Sequence, residues 1–224
     1  MWDVEFTDEF GRWWDTLSVE EQQSLDAAVG LLEQRGPGLG RPLVDSVQGS
    51  RHPNMKELRA GTIRVLFAFD RRRTAILLIG GNKRGRWREF YKQMIPLADA
   101  LFDAHLVEPE SEGAPQMPTK TKNFNKLRER ARRHDPDWDA KVTERQRAMQ
   151  DALALAELRQ SRHITQVQLA DALGIAQGNV SRLEGRSDVY LSTLRSYVEA
   201  LGGHLEIAAV FPDDRVPIAP GTST

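Results

Sequence analysis

Cations crowd one stretch of this chain. Residues 51–92 carry twelve Arg and Lys against three acids, a net of +9, while residues 1–50 carry three against ten, a net of −7. Within the basic stretch, Lys56 and Arg59 sit in MKELRA, Arg64 in IRVLFAF, and Lys83, Arg84, Arg86 and Arg88 in GGNKRGRWREFY. Guanidinium and ammonium groups gathered on strands and on a glycine-freed turn make a surface for phosphate. The alternative is that part of this charge neutralises the acidic helices before it. Arg64 needs a reason of its own, because Ile63, Val65, Phe67 and Phe69 alternate onto one face of its strand and leave it on the other. Either it forms a structural ion pair with Glu57, or it faces a concave site. No paired carboxylates or metal ligands accompany the cations. Cysteine is absent, and the five histidines (His52, His105, His134, His163, His204) fall at no ligand spacing, so no metal or other cofactor is expected.

A second constellation lies in ITQVQLADALGIAQGNVSRLE, Ile164 to Glu184. Gln166, Leu169, Ala170, Gly174, Ile175, Val180, Ser181, Leu183 and Glu184 have the spacing of a helix-turn-helix. Thr165 caps the first helix, Ala170 is small where two helices approach, and Gly174 makes the turn. Ile175, Val180 and Leu183 are expected to fix the second helix on the first, leaving Gln177, Gly178, Asn179, Ser181 and Arg182 exposed. The segment resembles the Xre, or Cro-like, family. That resemblance implies that Gln177 and Arg182 read bases, since amide and guanidinium groups make paired hydrogen bonds to adenine and guanine edges. It also implies that Gln166, Asn179 and Ser181 hold phosphates, and that the chain binds operator DNA as a homodimer on two-fold half-sites.

These groups must be carried on elements that the periodicity predicts. Asp3 to Phe6 reads as a strand, followed by apolar residues at helical spacing through Phe10, Trp13, Trp14 and Leu17. Ser18 and Glu21 form a capping box that opens a second helix, with Leu25, Ala28, Val29 and Leu32 on one face and Gly36-Pro37-Gly38 at its end. MKELRA, IRVLFAF and TAILLIG then form an antiparallel meander, and a helix bearing Trp87, Phe90, Tyr91 and Met94 follows. EPESEGAPQMPTKTK, Glu108 to Lys122, has no apolar periodicity and contains a second Met, Met117. Beyond it comes a basic segment broken by Pro136 and a long helix with Trp138, Val142, Met149, Leu153 and Ala156 on one face. So much apolar surface ahead of a small bundle calls for a partner. A helix over about 192–201 and a strand over 205–210 close the pattern, and the strand is free to pair with its copy in a dimer. No run nears the eighteen or so apolar residues of a membrane span, and the acidic opening is unlike a secretory signal, so the chain is read as soluble and cytoplasmic.

The order strand, helical hairpin, MKELR, RVLFAFD, AILLIGGNKRGRW and FY…IPLAD resembles the RelE/HigB-like toxins, in particular their phage-related branch. Those toxins are small ribonucleases that cut mRNA, commonly on the ribosome, by attack of a ribose 2′-OH on the adjacent phosphate. The resemblance implies catalytic roles for Lys56, Arg59, Arg64, Lys83 and Arg84 as cations around the cleft, with Tyr91 as acid, base or stacking group. It leaves the base unassigned. The expected fold is α+β: a RelE-like domain with a helical hairpin on a small antiparallel sheet, then an all-α Xre-type domain with a C-terminal strand. The expected limits are a toxin domain at 1–106, a linker at 107–122, a HigA-like antitoxin at 123–211 with its helix-turn-helix at about 153–207, and a disordered tail at 212–224. A toxin followed by such an antitoxin is the gene order of HigBA-like systems, so the expected function is a type II toxin–antitoxin pair in one chain. In it an mRNA endoribonuclease is silenced by an autorepressing, DNA-binding partner through intramolecular or intermolecular contact. The alternative is a DNA-binding regulator whose RelE-like half is catalytically dead and serves for assembly.

Overall fold

The computed structural model describes residues 1–82, 87–107, 121–185 and 189–218. It forms two compact units, Met1–Leu153 and Ala154–Thr224. No helix among the described residues is long and apolar enough to cross a membrane.

The first unit opens with strand β1 (Asp3–Phe6) and helices α1 (Asp8–Trp14) and α2 (Val19–Arg35). The capping box at Ser18 and Glu21 is formed in both directions, each side chain accepting from the other's backbone N–H. A meander follows: β2 (Val44–Ser46), β3 (Met55–Ala60), β4 (Ile63–Phe69) and β5 (Thr74–Asn82), and then α3 (Trp87–Leu106). The sheet order is β2-β3-β4-β5-β1 with a sixth strand, β6 (Lys122–Asn123), outside β1. The sheet is not purely antiparallel: β1 runs parallel to β5, because the two-helix crossover returns the chain beside its first strand. Alternation divides β4 as its sequence requires. Ile63, Val65 and Phe67 pack with Leu25, Leu32 and Trp14, whereas Leu66 and Ala68 pack with Ala98, Leu101 and Phe102 of α3. A bulge displaces the β4–β5 register after Leu66, and the buried Thr7 hydroxyl donates to the Leu78 carbonyl at 2.6 Å. Gly80 is needed on β5, since a Cβ there would stand 2.2 Å from the Trp13 ring.

The residues after the seam complete this unit. β6 pairs antiparallel with β1, and the Phe124 amide donates to the Val4 carbonyl at 3.0 Å, so β1 is not left as an edge. Phe124 is fully buried against Phe10 and Trp14. Helix α4 (Asn125–His134) then adds Leu127 and Ala131 to the same core, and α5 (Trp138–Ser161) adds Trp138, Val142, Met149 and Leu153. The apolar face of the long helix thus finds its cover within the chain, on residues 1–106. Asp26 of α2, itself buried, accepts from Arg128 Nε at 2.5 Å and from Trp138 Nε1 at 2.8 Å. Arg128 also reaches Glu33 at 2.8 Å and lies over the Phe124 ring at 5.0 Å.

The second unit contains the end of α5, then α6 (Gln166–Leu173), α7 (Gln177–Leu183) and α8 (Leu191–Ala200). Its core is Leu169, Ala170, Val180, Leu183 and Tyr197. The C-terminal strand β7 (Ile207–Val210) pairs within the chain, with β8 (Arg215–Ile218). This corrects the expected disordered tail at 212–224 over its first part. The reversal at residues 211–214, closed by the Phe211 amide donating to Asp214 O at 2.7 Å, returns the chain so that Val216 and Ile218 pair with Ala209 and Ile207. Residues 108–120, including Met117, lie outside the described residues, as do 219–224.

Phe124 fills a cage built by the front half, so Phe124→Ala should destabilise the first unit by about 3–5 kcal/mol. Urea unfolding of the full chain followed by tryptophan fluorescence measures this; a loss under about 1 kcal/mol would mean that the cage closes without it.

Candidate functional sites

Strand β3 places Glu57 and Arg59 on the α3 face of the sheet, and cross-strand pairing sets Arg59 opposite Arg64. Glu57 is 2% exposed. Its Oε1 accepts from Arg59 Nε at 2.7 Å and stands 3.2 Å from Arg64 Nε, and its Oε2 accepts from the Tyr91 hydroxyl. Arg59 reaches on to Asp45 Oδ2 at 2.8 Å. Burial pulls the Arg59 guanidinium toward neutrality, but the hydrogen bond and charge of Glu57 outweigh it and raise its pKa. For Arg64 burial wins, and its pKa is lowered. Its Nη1 donates to the carbonyls of Gly61 and Ile63 at 2.8 and 2.7 Å. Burial, and then the bond to Glu57, push the Tyr91 hydroxyl well above its ordinary range, so it remains protonated and can donate a proton but not accept one.

Of the six residues expected around a cleft, the structure therefore brings together Arg59, Arg64 and Tyr91. Lys56 falls on the opposite face, since it pairs with Phe67 on the side of the sheet covered by α2. Lys83 and Arg84 lie outside the described residues. Of the two readings of Arg64, its geometry is that of the ion pair with Glu57: the residue is only 8% exposed. Arg59, with 32% of its side chain exposed, is the accessible cation of the group. Glu57, offered by the sequence as the ion-pair partner of Arg64, is the centre of the cluster, and what sequence reasoning missed is that Arg59 and Tyr91 join it. Glu57 is the one carboxylate in β3, and its alternation in phase with Arg59 was the available signal.

The helix-turn-helix is built as its spacing requires. Thr165 and Gln168 form a capping box on α6, and Gly174 ends that helix at φ 67°, ψ 30°, a conformation that favours glycine. Val180 and Leu183 are buried, while Gln177, Gly178, Asn179, Ser181 and Arg182 are exposed. Ile175 departs from expectation: it is 39% exposed and takes no part in the core, because it follows the left-handed turn before α7 begins. The Gln177 amide donates to Gln166 Oε1 at 2.7 Å, and the Gln166 amide donates to Glu184 Oε2 at 2.7 Å. Arg182 folds back onto its own helix, bonding the Asn179 side chain and the Gly178 carbonyl.

Beneath this face lies a closed network. Glu184, 1% exposed, takes both Arg159 Nε and Nη2, at 2.6 and 3.1 Å, and the Tyr197 hydroxyl lies 2.7 Å from its Oε1. Burial alone would raise the Glu184 pKa, but the bonds from Arg159, Gln166 and Tyr197 overcome it and hold it below 4.5. Burial and the Glu184 bond raise that of Tyr197.

Comparison with known proteins adds two families and several relatives. The family described as "Phage derived protein Gp49-like (DUF891)" matches residues 12–103, and one described as "Helix-turn-helix domain" matches residues 139–210. The candidate toxin HigB2 of Mycobacterium tuberculosis (strain ATCC 25618 / H37Rv) is 50% identical over 103 residues, 44% of this chain and 51% of that protein. The present chain thus spans about half of that relative. Candidate toxin HigB3 of the same organism is 54% identical over 104 residues, 46% of this chain and 91% of its own. Candidate antitoxin HigA3, also from that organism, is 42% identical over 76 residues, 31% of this chain and 70% of its own. A solved structure titled "DNA bound antitoxin HigA3" shares 39% identity, covers 31% of this chain and 92% of its own, and has a TM-score of 0.29.

A folded-state pKa below the ordinary value means that Glu184 stabilises fully above pH 4.5 and ceases to do so as pH falls through its lower native value. Glu184→Ala strands a buried guanidinium, and should cost about 3–5 kcal/mol at neutral pH. In Glu184→Gln the acid-induced loss should be smaller than in the parent. Amide exchange at Leu169 and Val180 between pH 3 and 7 reads both effects; an identical pH profile in Glu184→Gln would remove the carboxylate from the account.

Proposed function

Since this chain belongs to the HigB toxin family through its first half and to the HigA antitoxin family through its second, we propose that it is a latent ribonuclease held in check by its own antitoxin segment. Residues 1–106 are the toxin and residues 123–211 the antitoxin, joined across 107–122. A connection of about sixteen residues reaches roughly 20 Å and gives an effective concentration on the order of millimolar, so the chain's own segment outcompetes a free one. The observation that carries this reading is the docking of Lys122 to Leu153 on the sheet and helices of the front half, through Phe124, Arg128 and Trp138.

In the proposed reaction Glu57 takes the proton of a ribose 2′-OH as the O2′–P bond forms. Arg59 meets the phosphorane charge and Tyr91 protonates the departing 5′-oxygen, leaving a cyclic phosphate and a free 5′-hydroxyl. Arg64 positions Glu57. Lys83 and Arg84 are further candidates for the phosphate, and no metal enters the scheme. The substrate class is mRNA, with the ribosome as the setting in which the freed toxin meets it. The helix-turn-helix binds operator DNA as a homodimer in the cytoplasm and represses its own promoter, with Gln177, oriented by Gln166, and Arg182 at base edges. Asn179 and Ser181 lie against phosphates.

A second reading, a DNA-binding regulator whose front half serves assembly alone, is favoured by the burial of Arg64 in its ion pair. Expression of residues 1–106 should arrest growth and cleave transcripts, and Glu57→Gln or Arg59→Ala should relieve it. Supplying residues 107–224 separately should also restore growth. Normal growth with intact transcripts would select the second reading. In the full chain, Gln177→Ala should weaken binding to the promoter fragment by about 1–3 kcal/mol in a gel-shift titration; equal affinity would exclude Gln177 as a base reader.

A further inference from the structure

The toxin–antitoxin seam contains a charge mismatch. Helix α1 turns Asp8, Arg12 and Asp15 to one side, spaced four and three residues apart, and the segment docked against it carries Lys122, Lys126 and Arg130 at four-residue intervals. The outer members pair across the seam: Lys122 Nζ meets Asp8 Oδ1 at 2.6 Å, and Arg130 meets Asp15. These two contacts set the register, and the middle members of the two rows, Arg12 and Lys126, line the same cleft as a rung of like charge. All six line one cleft of about 390 Å³, floored by Phe6, Gly11 and Leu127.

Neither central cation has a partner across the seam. Arg12 bonds Glu9 of its own helix at 3.0 Å and is 71% exposed, and Lys126 makes no ion pair among the described residues. Both carboxylates lining the cleft are already engaged, and the Lys122 hydrogen bond keeps the Asp8 carboxyl below its ordinary pKa, so it stays an anion tied to Lys122. The lining therefore holds four cations and two committed anions. Like charges brought together repel, and a dianion placed between them reverses the sign. The volume lies in the range of small-ligand sites, and the apolar floor offers a surface to a flat organic group.

We propose that this cleft binds a small phosphate-bearing ligand, of the size of pyrophosphate or a nucleoside monophosphate, at the Arg12–Lys126 rung. One cation comes from each half of the chain, so the ligand fastens the antitoxin segment to the toxin half and raises the stability of the docked state by mass action. This regulation acts on the seam and requires no RNA cleavage, so it stands or falls apart from the proposed ribonuclease.

The test uses the intact chain, with pyrophosphate and AMP as probes and sodium chloride of matched ionic strength as control. Thermal unfolding and calorimetric titration should show binding of at least one probe at millimolar concentration or below. Tighter binding of AMP would assign a role to the apolar floor, and equal binding would assign the site to phosphate alone. Lys126→Glu makes the rung complementary, and should raise the ligand-free melting temperature by about 2–4 °C while weakening the probe at least tenfold. Arg12→Gln should weaken it as well, without the gain in stability. Absence of binding by either probe, or binding that persists unchanged in both variants, overturns the proposal.

Discussion

Asp26 is the point on which the first unit closes. A carboxylate at 2% exposure on α2 must be met by donors, and Arg128 and Trp138, which meet it, both come from beyond the seam. Phe124 packs nearby, β6 covers the β1 edge, and the long helix lays Val142, Met149 and Leu153 on the same core. The docking is thus a combination of backbone pairing, aromatic burial and one desolvated ion pair. Each covers a liability that residues 1–106 would otherwise present to water.

The same chemical grouping, a buried Glu held by Arg and Tyr, recurs in both units with different consequences. Around Glu184 the group is closed, because Arg159 and Tyr197 are buried with it, and the network ends at Gln166 and Gln177 on the exposed face. Such a network supports α7 from beneath. Around Glu57 the group is open on one side, because Arg59 keeps a third of its side chain in solvent. Access, more than residue type, separates the two groups.

Much of this was legible beforehand. The capping boxes at Ser18 and Thr165, the alternation of β4 and the helix-turn-helix spacing are local patterns, and each formed where its residues placed it. The candidate site was less legible. The family resemblance places Lys56 among the cleft cations, yet strand alternation turns it to the far face; Arg64 stands between two readings until its partners are in place. Ile175 has the residue type of a core position but follows a left-handed turn that swings it outward. The final segment, polar and proline-containing, gave no sign of pairing because two-stranded pairing depends on a neighbour rather than on the segment itself.

The amino-acid order by itself determined most of the elements, the two families and the division into an acidic front, a basic middle and a helix-turn-helix end, since periodicity, caps and turn chemistry act over a few residues. Only the tertiary structure decided which charges meet. Asp26 with Arg128 and Trp138, Glu57 with Tyr91, and Arg12 in one cleft with Lys126 are separated by thirty to more than a hundred positions, and no local rule couples them. Long-range contacts of this kind arise from the packing of faces, and a face acquires its partner only when the chain has closed.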